Sequence, residues 1–348
     1  MIKIKLSIPG CSSVDINDFK SAIAKFIPGS KNNIADYQFF VNTEIKEADF
    51  WFIIDDTSLD TEECLISKNR IFFLSAEVPF VIDYFNSEKF LSQFSKTYSP
   101  HAIFDTNNIA SLPFLPFMIN ATYGESIWSY DDKYNFDYLR GLDQIEKTKN
   151  MSIVFSNKGS SASEFTFWHK ARYNFCIKLK EHFKDKIDFY GQGHNPISSK
   201  VDAIFPYKYH ICLENQSLYN VMTEKLYDSF LGLSHPIYFG APNASDYFDE
   251  RSFSQINIFD FKSSIDVIGS LIEDDSKYDK SRQYLVDSKN KYLDEYSTFP
   301  RIAKICNSII KCNEVSNKEM VTISSRNSFC EKKKVKKSFF KRIKNKIK

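Results

Sequence analysis

The feature that most restricts the fold of this chain is the stretch from Tyr207 to Pro242, in which an apolar run, a polar loop, a helical segment and a second apolar run follow one another. Tyr209–Leu213 predicts a strand ending at Glu214-Asn215, a helix begins near Thr223, and a further strand ends at Gly240. A helix that opens just past a strand's carboxyl end is where an α/β sheet offers free N–H groups to a diphosphate. Thr223 supplies a capping hydroxyl, and Glu224 suits the positive end of the helix dipole. Lys225 adds a mobile cation, while Glu224 can accept hydrogen bonds from ribose hydroxyls. Taken alone, the same two residues also read as a first-turn acid and a solvated lysine, because helix starts of this kind are common.

The rest of the chain carries strand and helix patterns in two series. In the first, apolar runs at Ile2–Ile8, Phe50–Ile54 and Arg70–Leu74 predict strands, with helical patterns around Ile16–Phe26 and Ile82–Phe94. Residues 124–150 are rich in charge and Tyr and predict the connection between domains. The second series begins with a strand over 151–156. Ser161 and Glu164 then have capping-box spacing, ahead of a helix that should bury Phe165, Trp168, Phe175, Leu179 and Phe183. Further strands are expected at Ile187–Tyr190 and Pro236–Phe239, and helices over Thr223–Leu233, Ser263–Glu273, Lys277–Tyr296 and Pro300–Lys311. The expected organisation is an N-terminal α/β domain over 1–123, a connection over 124–150, a C-terminal α/β domain over 151–312, and a linker with a basic tail over 313–348. Two such domains leave a cleft between them, where small-molecule sites preferentially lie.

With 348 residues, 43% of them hydrophobic, the chain is long enough for two cores. Seven cysteines without a CxxC pair argue for free thiols in a reducing compartment. The N-terminus lacks the apolar core and cleavage site of a signal peptide, and no apolar run approaches the roughly 20 residues that cross a bilayer. The expectation is a cytoplasmic protein whose membrane contact is peripheral. Residues 331–348 hold ten Lys or Arg against one Glu, whereas the preceding 330 carry 36 basic and 43 acidic side chains. On a helix Val335, Phe339, Phe340, Ile343 and Ile347 share one face, a pattern suited to an anionic membrane surface. A solvated basic tail or a nucleic-acid patch is the competing reading.

Asp55-Asp56 reads as a strand-end turn, and His101, His169, His194 and His210 are dispersed without ligand spacing, so no metal is expected.

The order of residues in the second half narrows the reading. Tyr207-Lys208-Tyr209, Leu213-Glu214-Asn215, Thr223-Glu224-Lys225 and Tyr238-Phe239-Gly240 follow one another as strand, turn, helix start and strand end. This succession resembles the signature of the α-1,3-fucosyltransferase family (glycosyltransferase family 10), in which Tyr-Lys-Phe, Phe-Glu-Asn, Thr-Glu-Lys and Tyr-Trp-Gly occupy those places. Upstream, Phe155-Ser156-Asn157 resembles the family's Val-Ser-Asn strand end, Arg172 matches its helix arginine, and Tyr190-Gly191 matches its Tyr-Gly turn. Arg172 falls within the apolar stripe of its helix, where a guanidinium needs an anionic partner; a snorkelling side chain or a structural ion pair is the other reading. In the first half, Phe72 to Pro79 resembles the strand and turn that bear the family's catalytic glutamate, which puts Glu77 in that role. Glu77 follows an apolar strand and precedes Val78 and Pro79, so desolvation would raise its pKa towards the range of a general base. An ordinary turn carboxylate remains the alternative.

The resemblance implies a GT-B-like α/β fold, with two Rossmann-like domains facing each other across a cleft, and an inverting glycosyltransferase. The C-terminal domain would hold a GDP-sugar, with GDP-fucose the leading donor, through Ser156, Asn157, Arg172, Tyr190, Gly191, Tyr207, Lys208, Glu214, Asn215, Glu224 and Lys225. The N-terminal domain would bind an oligosaccharide or lipid-linked glycan, and Glu77 would deprotonate its hydroxyl. No cofactor, metal or nucleic acid is expected. Val221-Met222 stand where the family has Tyr-Val, and Gln216 replaces its Ser. Another nucleotide sugar on the same fold, or a noncatalytic glycan- or nucleic-acid-binding protein, are the alternatives to be tested.

Overall fold

The computed structural model describes residues 1–9, 23–29, 33–34, 36–76, 88–100, 107–122, 130–155, 164–191, 194–274, 276–312 and 317–329. Glu77, Ser156, Asn157, Ser161, most of the helix expected at Ile16–Phe26 and the basic tail over 331–348 lie outside the described residues.

Fourteen strands are described. The first half holds β1 (Ile2–Ser7), β2 (Asn33–Ile34), β3 (Tyr37–Val41), β4 (Phe50–Ile54), β5 (Thr61–Ile66), β6 (Ile71–Leu74), β7 (Lys96–Ser99) and β8 (Asn108–Ala110). The second holds β9 (Lys149–Val154), β10 (Asp188–Tyr190), β11 (Tyr207–Leu213), β12 (His235–Phe239), β13 (Ser254–Gln255) and β14 (Glu319–Ser324). They form a seven-stranded sheet in the order β2-β3-β1-β4-β6-β7-β8 and a five-stranded sheet in the order β10-β9-β11-β12-β13. Every pairing in the second sheet is parallel, as is every pairing in the first except β2 with β3.

Every residue of β4, β6 and β12 is buried, as expected of parallel strands covered on both faces. The two-residue period of a strand separates two cores in the first domain. Phe50, Phe52, Ile54, Phe72 and Leu74 face the main core, while Trp51, Ile53, Ile71 and Phe73 face a smaller one with Phe90 and Phe94.

That smaller core is closed by a strand that follows the second domain in sequence. β14 pairs antiparallel with β5, from Glu319 opposite Ile66 to Ser324 opposite Thr61, and sends Val321 and Ile323 inward. The linker expected over 313–348 is corrected accordingly: residues 319–324 are a strand of the first domain. The physical reason is the alternation of Val321 and Ile323 with exposed Met320 and Thr322, which gives the segment one apolar face to bury.

The Thr298–Lys311 helix also returns to the first domain, although it follows the second in sequence. Phe299 meets Phe39 edge to face at 5.1 Å, and the Tyr37 hydroxyl donates to Asn307 Oδ1 at 2.5 Å. Arg301, buried, donates to the carbonyls of Leu112 and Pro113 at 2.6 and 2.9 Å and to the Ser111 hydroxyl at 2.5 Å. Its guanidinium lies 3.5 Å from the centre of the Phe114 ring. Burial pulls its pKa down to about 10, and these acceptors compensate the buried charge. No helix among the described residues is long and apolar enough to cross a membrane.

Candidate functional site

The second sheet reverses its winding between β9 and β11. From β9 the chain moves through the Glu164–Phe183 helix to β10 on one side, whereas β11, β12 and β13 are laid down on the other. In open α/β sheets such a reversal opens a crevice at the strands' carboxyl ends, because the flanking connections leave in opposite directions. A cavity of about 760 Å³ lies there, lined by Val154 at the end of β9 and Phe155 just past it, Gly191 after β10, Leu213 at the end of β11, Arg172, Glu224 and Lys225. Met118 of the first domain completes one wall.

The helix start that carries Glu224 and Lys225 is fixed from below. Glu214, almost wholly buried just past β11, accepts from the Thr223 N–H at 2.7 Å and from the Thr223 hydroxyl at 2.6 Å. Thr223 in turn caps the Glu224–Leu231 helix by accepting from the Lys225 N–H. Gly240 makes room for this arrangement, since a Cβ there would lie 2.5 Å from Glu214 Cγ and 2.1 Å from the Tyr238 hydroxyl. The Lys225 ammonium stands 3.0 Å from Glu224 Oε1 and 3.6 Å from Glu214 Oε2.

Electrostatically the two acids differ. Burial raises the Glu214 pKa, with Lys225 opposing it only in part. Glu224 is also desolvated, but Lys225 and then Lys200 more than offset that and hold its carboxyl at about 2. Glu224 is therefore a fixed anion and hydrogen-bond acceptor on the cavity wall.

Among the described residues Arg172 is the cation of the cavity wall without a paired carboxylate. It is half-buried, its Nη1 donates to the Leu213 carbonyl at 3.2 Å, and among the described residues it makes no ion pair. Burial lowers its pKa, with Glu214 and Glu224 acting the other way from beyond ion-pair distance. A desolvated guanidinium that lines a cavity and lacks a paired acid leaves room for an anionic ligand.

The expected site residues thus divide. Arg172, Gly191, Glu224 and Lys225 come together on the cavity wall, and Glu214 supports them from beneath. Asn215 does not line the cavity, although its buried Oδ1 has no partner among the described residues. Tyr190, Tyr207 and Lys208 do not line it either. The Tyr207 hydroxyl is engaged instead with the Asp188 carboxylate, the Lys149 ammonium at 3.0 Å and the Tyr190 hydroxyl at 2.6 Å, which ties three strands together. Val221 and Met222, where the motif departs, are both buried and outside the lining.

Two charged residues of the wall escaped the sequence reading. Asp228 is almost wholly buried, pairs with Lys200 at 2.7 Å, and accepts the backbone N–H of Met118 at 2.8 Å. Lys200 opens a five-residue helix whose start is marked by a capping box of Ser199 and Asp202. Asp228 lies four residues beyond Glu224, hence on the same helix face. Among the described residues no cluster of His, Cys, Asp and Glu is arranged to hold a metal ion. Asp55 and Asp56 serve the backbone of their own domain, accepting from the N–H groups of Ala76 and of Thr57 and Arg326, respectively.

Comparison with known proteins agrees with this geometry. An α-(1,3)-fucosyltransferase of Helicobacter pylori is 32% identical over 102 residues, which is 29% of this chain and 18% of that protein's length. Two crystal structures of α1,3-fucosyltransferase, one without a stated ligand and one with GDP-fucose, superpose with TM-scores of 0.51 and 0.50 at 18% identity. Each covers 91% of this chain, and 91% and 93% of the respective crystal chains, so the two-domain GT-B fold is shared. The family model for the C-terminal part of glycosyltransferase family 10 (fucosyltransferase) matches residues 145–329, more than half of the chain, and the protein belongs to that family.

Proposed function

We propose that the protein is an inverting glycosyltransferase that moves fucose from GDP-fucose to a hydroxyl of a surface glycan. The observation that carries this reading is Arg172, a desolvated cation without an acid partner among the described residues, in a cavity at the sheet's switch point beside a capped helix start. A diphosphate supplies the anion that this cation lacks. The matched relative and crystal structures, described as α1,3-fucosyltransferases and in one case holding GDP-fucose, support the donor class.

In the proposed reaction an acceptor oxygen loses its proton to Glu77 and attacks the sugar's anomeric carbon from the face opposite the diphosphate. The bond from that carbon to the phosphate oxygen breaks, GDP departs with the electron pair, and configuration inverts. Arg172 and Lys225 would stabilise the charge that develops on the departing diphosphate, with Ser156 and Asn157 as further donors. Glu224 would accept from ribose hydroxyls. Glu77 follows Ala76, whose N–H is held by Asp55 Oδ1 at 2.9 Å just past the carboxyl end of β6, the edge at which the first sheet should meet an acceptor.

The test is a panel of radiolabelled GDP- and UDP-sugars, scored for hydrolysis and transfer with wild-type protein and Glu77→Gln. Turnover with GDP-fucose, lost by about 100-fold or more in Glu77→Gln while GDP binding persists, is expected for a general base. Turnover with a different sugar moves the donor assignment, and no turnover with any sugar leaves the noncatalytic alternative. The tail over 331–348 would hold the enzyme at the cytoplasmic face of the membrane, close to a lipid-linked acceptor. Truncation after Ser328 is expected to abolish binding to anionic liposomes, and unchanged binding would reject the tail as the address.

A further inference from the structure

Three histidines of the second domain are enclosed in different ways. His210 Nδ1 and the Ser152 hydroxyl are 2.8 Å apart, and His235 Nε2 and the Ser254 hydroxyl 2.9 Å apart, so each has a serine partner. His194 has none among the described residues: both of its ring nitrogens are buried and without a hydrogen-bond partner there. It is also half-buried on the cavity wall, beside Phe155, Gly191, Pro196 and Ile197. A structural histidine in a core satisfies its nitrogens, because each one left unmatched costs stability. This ring is held in place by something other than hydrogen bonding.

The holding contact is aromatic. The His194 and Phe155 ring centres are 4.1 Å apart with their planes inclined at 31°. The backbone brings them together: the His194 N–H donates to the Gly191 carbonyl at 2.9 Å, and the Gly191 N–H donates to the Asn195 carbonyl at 3.1 Å. Gly191 has φ +118°, and a Cβ there would lie 2.0 Å from the Phe155 carbonyl oxygen, so only glycine lets this turn lie against the end of β9. Burial, then Lys180, keeps the His194 pKa below its ordinary value, so the ring is neutral. With its nitrogens covered, the ring offers the cavity carbon surface and no charge.

The cavity is therefore graded along the edge of the sheet. Glu224 and Lys225 follow β11, whereas Phe155 and His194 follow β9 and β10, one and two strands further over at about 4.8 Å per strand. We propose that the paired rings of His194 and Phe155 form the platform on which the nucleobase of the donor stacks, which makes His194 a ligand-binding residue of this cavity. This rests on the nucleotide-sugar reading of the site. The chemistry recognised is a flat aromatic base joined to a diphosphate, one end for each end of the cavity.

The test compares binding of GDP and of inorganic pyrophosphate by calorimetry to the full chain as wild type, His194→Ala and His194→Phe. Stacking predicts that His194→Ala raises the Kd for GDP roughly 10- to 100-fold and leaves pyrophosphate within about twofold, whereas His194→Phe stays within about threefold of wild type for both. The proposal is overturned if His194→Ala leaves GDP binding unchanged or weakens both ligands alike. It is equally overturned if His194→Phe loses as much as His194→Ala, since that would assign the contact to a ring nitrogen. Should His194→Ala fail to fold, His194→Phe and the wild-type comparison still decide. Wild-type protein that binds pyrophosphate as tightly as GDP sinks the base platform alone; wild-type protein that binds neither removes the donor reading, and the platform with it.

Discussion

Arg172→Met is expected to weaken GDP binding by about 2–5 kcal/mol, roughly 30-fold or more in Kd, without lowering the melting temperature. The two halves of this expectation have one cause. Arg172 is desolvated and, among the described residues, holds only the Leu213 carbonyl and faces no paired acid, so it is a charge with little compensation there. Methionine fills much of the same volume and removes that charge, which should leave stability equal or higher. With GDP present the charge gains its partner, and its loss is felt in full. Calorimetric titration with GDP and a melting curve on the same sample separate the two effects. Unchanged affinity would count against a phosphate role for Arg172, and loss of both affinity and stability would make it a structural residue.

Asp228→Ala is expected to lower stability by about 3–5 kcal/mol, a fall of at least several degrees in melting temperature. Asp228 stands almost wholly buried between the two domains, with the Lys200 ammonium on one oxygen and the Met118 N–H on the other. Alanine deprives Met118 of its acceptor and removes one buried partner of Lys200, a removal that costs more than the pair itself contributes. Asp228→Asn should lose less, because its carbonyl still accepts from Met118. A melting temperature within about 1 °C of wild type for Asp228→Ala would show that the contact between Met118 and Asp228 adds nothing.

Sequence patterning reaches some of these residues and not others. The β11 strand, Thr223 cap and β12 strand were legible because buried parallel strands read as continuous apolar runs and caps use a short menu of residues. Arg172 was legible because a guanidinium inside an apolar stripe is a conflict that needs an explanation. Tyr207 and Lys208 stand in the matching motif, yet they do not line the cavity; a motif marks order along the chain and does not say which way a side chain is engaged. Lys200 belongs to a helix of five residues, too short to show a periodic signal, and only its Ser199–Asp202 box could have announced it. His194 lacks metal-ligand spacing, a criterion blind to stacking. The pairing of β5 with β14 joins residues about 250 positions apart, and nothing local could specify it, although the alternation within each strand was there to be read.

That return of the chain has a mechanical consequence. The polypeptide passes from first domain to second once between residues 111 and 149, and passes back where Ser297 precedes the Thr298–Lys311 helix. Arg301 ties these two crossings together by gripping Ser111, Leu112 and Pro113. The two covalent straps are thereby fastened side by side, so that neither can shift along the first domain without breaking the Arg301 bonds.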